Sequence, residues 1–237
     1  MEIDMEFERM LRYLSALDKN NNRSWFHENH AWYDDAKADF IELLELLRFA
    51  IIENAPALAD DLMYLPANGW LYRVARDMRY HKNDLPYNPS FRAYLSRDRK
   101  SCEPIGYFLR IAPGSCCFGT GLWCTNTQAM NRVRNYISGA YEEFLSIISH
   151  CRTSITGDKL VKMPRGYSDN HPAAEYLKFK SWSVIVDFDD TTLDTYENLI
   201  RYLGSLVKEM EPVRQFLLEA SHAAPNQKQI FEDFYNI

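Results

Sequence analysis

The densest group of side chains able to do chemistry here is Arg73-Val74-Ala75-Arg76-Asp77-Met78-Arg79-Tyr80-His81-Lys82. Its arginines and Lys82 are cations held close together, with Asp77 among them and Asp84 just beyond. A guanidinium presents forked donors that hold a carboxylate or phosphate through two parallel hydrogen bonds. Walled by Trp or Tyr, such a group makes an anion pocket. The structural alternative is a network that fixes a loop against a sheet. On a strand, Arg76 shares a face with Trp70, Tyr72 and Val74, and an arginine on an apolar face has to be paired, by Asp77 or another carboxylate. Such networks are the commoner outcome.

Three more segments stand apart from ordinary core or surface. They are Asn20-Asn21-Asn22-Arg23-Ser24-Trp25-Phe26, Leu85-Pro86-Tyr87-Asn88, and Met163-Pro164-Arg165-Gly166-Tyr167 leading to His171-Pro172. With Arg134, they extend the candidate ligand-binding set to Asn22, Arg23, Arg73, Arg76, Arg79, Lys82, Tyr87, Arg134 and Arg165. Asp77, His81 and His171 are the nearby acid–base candidates, and the sequence assigns no role among them. Because the Arg-Asp-x-Arg and Pro-Arg-Gly segments are both polar and loop-like, Arg76, Arg79 and Arg165 are expected to converge on one concave, aromatic-lined site. Trp25 and Phe26 fit a short amphipathic helix plugging the core more readily than a stacking platform.

Other motifs fail on context. Trp182-Ser183-Val184-Ile185-Val186-Asp187-Phe188-Asp189-Asp190-Thr191 resembles the first motif of the haloacid-dehalogenase phosphotransferases, an apolar strand followed by D-x-D-x-T. There the first Asp would be the nucleophile and the second the acid–base, with Mg²⁺ offsetting the charge. That motif opens a domain of parallel strands, whereas here mostly helical sequence follows. Asp187 and Asp189 are therefore expected to be non-catalytic, and a phosphatase is the most distant alternative. His27-Glu28-Asn29-His30 is one residue short of H-E-x-x-H. Gly119-Thr120-Gly121 lacks the third glycine of a dinucleotide loop and joins strands. Neither a metal nor a cofactor is expected: Cys116 and Cys117 are adjacent, and no C-x-x-C pair occurs.

Periodicity supplies the elements that must position these residues. Residues 5–17 carry a helical apolar stripe, 24–53 is helical with a bend at Asn29 and His30, and 126–149 and 192–222 are helical, the last broken at Pro212. WLYRVA, GYFLRIA, SCCFGTGLWCT and KSWSVIVDF have the aromatic and β-branched content of strands. Turns at Ala112-Pro113-Gly114-Ser115 and Gly119-Thr120-Gly121 would make 105–125 a meander. The prediction is an α+β fold, a mostly antiparallel sheet packed with helices, as a single domain over 1–237.

Composition bounds the function. With 46% hydrophobic residues, nine glycines and ten prolines in 237, the chain is neither disordered nor collagen-like. No apolar run reaches the roughly 20 residues of a transmembrane helix. The start, MEIDMEFERM, has no apolar h-region, and five cysteines without C-x-x-C spacing read as reduced thiols, so a cytoplasmic protein is expected. A formal charge of -6 gives no global attraction to nucleic acid or membrane.

Taken in order, the four segments resemble an uncharacterised bacterial family catalogued as domain of unknown function 2461. That family is marked by Asn-Asn-x-Arg-x-Trp-Phe, by an Arg-Asp-x-Arg-Phe-like segment running to Pro-Tyr, and by Pro-(Arg/Lys)-Gly-(Tyr/Phe) before His-Pro. Tyr107, Gly121-Leu122-Trp123, Arg134 with Ile137, and Pro212 extend the likeness over 7–220. It implies one domain and no particular activity. Relatives carry lysines where this chain has Asp84 and Asn88, so this member is less basic there. The expected function is binding of a small phosphate- or carboxylate-bearing ligand through an Arg-rich pocket, with or without catalysis. The alternative is an interaction module meeting an acidic protein or nucleic acid through a local basic–aromatic surface.

Overall fold

Helix α1 (Glu6–Lys19) places Phe7, Met10, Tyr13, Leu14 and Leu17 on one buried stripe. The asparagine run ends it, and Asn22 caps α2 (Arg23–Glu28) by accepting the Trp25 amide at 3.0 Å. Asn29 then separates α2 from α3 (His30–Asn54), which is the bend read from the sequence. Helix α3 buries Ala36, Phe40, Leu43, Leu44, Leu47 and Ile51. Its buried Asp39 carboxylate takes the Arg9 guanidinium of α1, with Nε donating at 2.6 Å. A short α4 (Ala59–Tyr64) follows.

The computed structural model describes residues 6–79, 85–97, 106–123, 126–189 and 195–223. The chain divides into two compact units, one drawn from residues 1–99, 107–118 and 186–208, the other from 100–106, 119–185 and 209–237. Strands β1 (Phe91–Leu95), β2 (Tyr107–Ile111), β3 (Cys116–Leu122) and β4 (Trp182–Phe188) form one antiparallel sheet in that order. Between β3 and β4 lie α5 (Thr127–Gly139), α6 (Tyr141–Ser149) and α7 (Ala174–Leu177), and α8 (Tyr196–His222) comes last. This is an α+β fold that combines helices with an antiparallel sheet. Among the described residues, no helix is long and apolar enough to cross a membrane.

In the first unit, β1 and β2 pair Phe91 with Ile111, Arg92 with Arg110, Ala93 with Leu109, Tyr94 with Phe108 and Leu95 with Tyr107. Alternation sends Phe91, Ala93, Leu95, Tyr107, Leu109 and Ile111 to the core face. There Phe91 stacks on Phe40 at 5.3 Å and Tyr107 on Phe118 at 5.4 Å. Arg92, Tyr94, Phe108 and Arg110 take the other face. In the second unit, Phe144 lies edge-on to Tyr176 at 5.3 Å and contacts Phe216 at 5.1 Å.

Several expectations need correction. WLYRVA forms no ladder. Trp70 ends a 3₁₀ turn, and the rest makes single bridges that change partner, Leu71 with Ala93 and Ala75 with Tyr87. Pro86 and Pro89 flank that second partner and remove donors a ladder would need. Strand β1 (FRAYL) was not among the expected strands: it directly follows Pro86 and Pro89, in a stretch that reads as loop. Ala112–Ser115 is a turn closed by the Ser115 amide on the Ala112 carbonyl at 3.1 Å, with Gly114 at φ 64. Gly119 to Gly121, expected as a turn, instead lies inside β3. These glycines serve close approach: a Cβ would sit 2.3 Å from the Val184 carbonyl at Gly119, and 2.4 Å from that of Trp182 at Gly121. Helix α8 also runs through Pro212 unbroken. The exposed proline forfeits one backbone bond, while buried Met210, Val213, Phe216 and Leu217 hold the turns around it.

The glycine pair supplies a test. Gly119→Ala and Gly121→Ala should each lower the unfolding free energy by about 2–3 kcal/mol, because backbone must shift to admit the methyl group. Urea denaturation measures this, and losses under 0.5 kcal/mol would show that the β3–β4 approach is loose.

Candidate functional site

Three of the four segments singled out in the sequence meet on one backbone residue, Tyr87. The buried Asn21 amide donates to the Tyr87 carbonyl at 2.9 Å and accepts the Tyr87 amide at 3.0 Å. That exchange copies a β-bridge with a side chain. Arg76 Nε donates to the same carbonyl at 3.4 Å, and its backbone amide is held by Pro86 at 2.9 Å. The Tyr87 ring stacks on Phe26 of α2, centroids 4.1 Å apart and planes 10° from parallel. Trp25 lies beside Tyr13 at 6.1 Å. Asn22, a candidate ligand group, is the helix cap, and Arg23 stands exposed at the start of α2. The Tyr13 hydroxyl is buried without a hydrogen-bond partner, and burial, then Tyr33, Tyr87 and Asp34, push its pKa up.

Next to this node the sheet carries an unusual charge pattern. Arg92 stands directly opposite Arg110 across β1 and β2, a position where like charges repel. Burial, and then Arg76 and Arg110, lower the Arg92 pKa, with Tyr72 working the other way. Arginine nevertheless stays protonated at neutral pH. Arg92 donates to the Arg73 carbonyl at 3.2 Å and lies over the Tyr72 ring at 5.7 Å, and its buried Nε has no partner. Arg110 donates to the Ser115 carbonyl at 3.0 Å and to Ser115 Oγ at 2.8 Å. Among the described residues, neither Arg92 nor Arg110 has an ion-pair partner. Arg110 also borders a cleft of about 380 Å³ with Asp18, Lys19, Asn88, Ser90 and Ser115. Burial raises the pKa of the neighbouring Cys117 thiol, an effect that Arg110 opposes and Asp187 reinforces.

The other expected residues have local partners or surroundings of their own. Arg79 binds Asp77 through Nε at 2.9 Å and Nη2 at 2.6 Å, an exposed pair that also holds the Arg79 amide at 3.1 Å. Asp77 thus pairs with Arg79. His81 and Lys82 lie outside the described residues. Arg134, Arg165 and His171 belong to the second unit. There, buried Arg134 donates to the Leu177 and Phe179 carbonyls at 2.9 and 2.8 Å, closing the end of α7. Burial lowers its pKa, and nearby Tyr167 opposes that shift. Tyr167 donates to Asn135 and its pKa is pushed up to about 12 by burial. Arg165 is exposed beside Gly166, whose φ is 88. His171 Nδ1 accepts the Ala173 amide at 3.0 Å, so the proton of the neutral ring sits on Nε2, 3.1 Å from Ser138 Oγ.

Arg92 and Arg110 are functional candidates that sequence reasoning missed. Their signal was an arginine second from the start of one short apolar run and second from the end of the other, positions that meet only once the antiparallel register is known. Asp187 is exposed on an edge strand of an antiparallel sheet, not at the carboxyl end of a central parallel one. Among the described residues, no group of three His, Cys, Asp or Glu is placed to hold a metal ion.

The two asparagines should separate in stability. Asn21→Ala leaves a buried amide unsatisfied and should cost about 2–3 kcal/mol, whereas Asn22→Ala removes one cap and should cost about 1 kcal/mol. Chemical denaturation checks the order, and equal losses would deny Asn21 its bridging role.

Comparison with known proteins bears on kinship alone. No curated protein and no solved structure matches this chain. The family model described as conserved hypothetical protein (DUF2461) matches residues 9–216, which span the Asn21–Tyr87 bridge, the paired arginines and the Pro-Arg-Gly turn, and the chain belongs to that family.

Proposed function

We propose that this protein binds a small anion, a phosphate or carboxylate, on the sheet face where Arg92, Arg110 and Arg76 gather. The observation that carries the reading is the register of β1 and β2, which sets Arg92 opposite Arg110. Two guanidinium groups facing each other across an antiparallel pair cost the fold about 0.5 kcal/mol where an opposite-charge pair would gain as much. Half-burial sharpens the repulsion by removing water from Arg92. A bound anion relieves both terms. Arginine suits this role because it stays charged at every working pH and offers paired donors to a planar carboxylate or to phosphate oxygens. The tether to Arg73 and the bonds to Ser115 hold two of the guanidiniums in place before any ligand arrives, which reduces the entropy lost on binding.

The wider charge balance favours a small ligand over a polyanion. With a formal charge of -6, the chain as a whole repels a phosphate backbone, while a local group of arginines still attracts one anion at short range.

Thermal unfolding in phosphate, nucleotides or carboxylates tests the proposal. An anion at about 100 times its dissociation constant adds about 2.7 kcal/mol, which raises the midpoint by roughly 5–10 °C for a chain of this length. Arg92→Met should erase that rise and, at low salt without ligand, leave the protein as stable or up to about 0.5 kcal/mol more so. An Arg92→Met protein that loses stability yet keeps the full anion response would overturn the assignment.

A further inference from the structure

We infer that the ligand of the arginine face carries a planar unsaturated ring beside its anionic group, as a nucleoside monophosphate or an aryl phosphate does. This rests on the anion reading above and specifies the chemical class. Two aromatic side chains border the paired arginines on the same side of the sheet. Tyr72 keeps 39% of its surface exposed and lies edge-on to Phe108, ring centroids 6.5 Å apart. Phe108 projects from β2 on the face that carries Arg110, two residues along the strand. The Tyr72 backbone is fixed to the strand, its amide donating to the Arg92 carbonyl at 2.9 Å.

Charge and ring are therefore held in one spacing. The Arg92 guanidinium carbon lies 5.7 Å from the Tyr72 ring centre. An anion seated on Arg92 and Arg110 brings whatever it is attached to against Tyr72 and Phe108. A saturated, hydroxyl-rich carrier would strip water from those rings and return little. A planar ring returns stacking, because aromatic faces attract other π-faces whatever the pattern of ring substituents. Asp187 is an exposed carboxylate whose influence, like that of Arg110, reaches Cys117.

Isothermal titration of the whole protein with four probes tests this: inorganic phosphate, ribose 5-phosphate, phenyl phosphate and adenosine 5′-monophosphate. The two probes with a planar unsaturated ring should bind at least about tenfold more tightly than the two without one. Tyr72→Leu should bring all four to the level of inorganic phosphate, and leave phosphate itself unchanged. The variant keeps the backbone amide that anchors residue 72, and its unfolding midpoint measured without ligand verifies that it folds. Equal affinities across the four probes would overturn the ring inference while leaving the anion site standing. Tighter binding of the two planar-ring probes that survives Tyr72→Leu would overturn it as well, by placing the ring away from Tyr72. If none of the four binds, the anion reading falls with it.

Discussion

The first unit depends on one side chain behaving as backbone. Asn21 sits where α1 has ended and α2 has not begun, so its amide is free to face the Tyr87 main chain and exchange two hydrogen bonds with it. In a buried setting those bonds are worth more than their number suggests, because each Tyr87 group would otherwise be stranded away from water. The exchange ties a segment distant in sequence to the start of the helical layer. Around it the Phe26 ring stacks on Tyr87, and Arg76 reaches the same carbonyl. The conspicuous Asn-Asn, Arg-Asp and Pro-Tyr segments are thus parts of one joint. The joint explains their residue types, since it needs an amide that can both donate and accept and a guanidinium long enough to reach a carbonyl. It also needs a tyrosine flanked by prolines that keep the chain extended.

Once that joint has positioned residues 71–76, electrostatics takes over. The segment lays the Tyr72 amide and the Arg73 carbonyl along β1, so Arg92 is held at both its backbone and its side chain. Asp77, the acidic residue within the same segment, binds Arg79. A fold selected for stability alone would set an acidic residue opposite Arg92. On the proposed reading, two arginines are retained in register because an incoming anion completes the charge balance.

Helix periodicity was legible in α1, α3, α5 and α8, which each bury a stripe at 3.6-residue spacing, and the bend at Asn29 could be read from its capping chemistry, whereas the short α4 and the division of 126–149 into α5 and α6 at Ala140 were not read. Strands β2, β3 and β4 were legible from their aromatic and β-branched runs. Partner choice was not. WLYRVA has the composition of a strand, but the prolines opposite it interrupt pairing, and FRAYL becomes a strand only because GYFLRIA lies beside it. Gly119 and Gly121 carry the residue type of a turn, yet their purpose is an approach between strands distant in sequence. The candidate site shows the same division. Arginine enrichment at 73–79 was visible, and its Arg73 and Arg76 lie beside Arg92. The arginines facing each other, Arg92 and Arg110, gained meaning only from a cross-strand register that no local pattern encodes.

The most direct test of an anion site on this face is nuclear magnetic resonance of the arginine side chains. Protein labelled with ¹⁵N is titrated with inorganic phosphate while the Nε–Hε resonances are followed. Because Arg92 Nε is buried without a partner and Arg110 Nε is bonded to Ser115, each should give a slowly exchanging signal of its own. Arg92 and Arg110 should shift together with one saturating binding curve, Arg76 following, while exposed Arg23 and Arg165 stay in place. Shifts confined to exposed arginines, with Arg92 and Arg110 unmoved at saturating phosphate, would contradict the assignment.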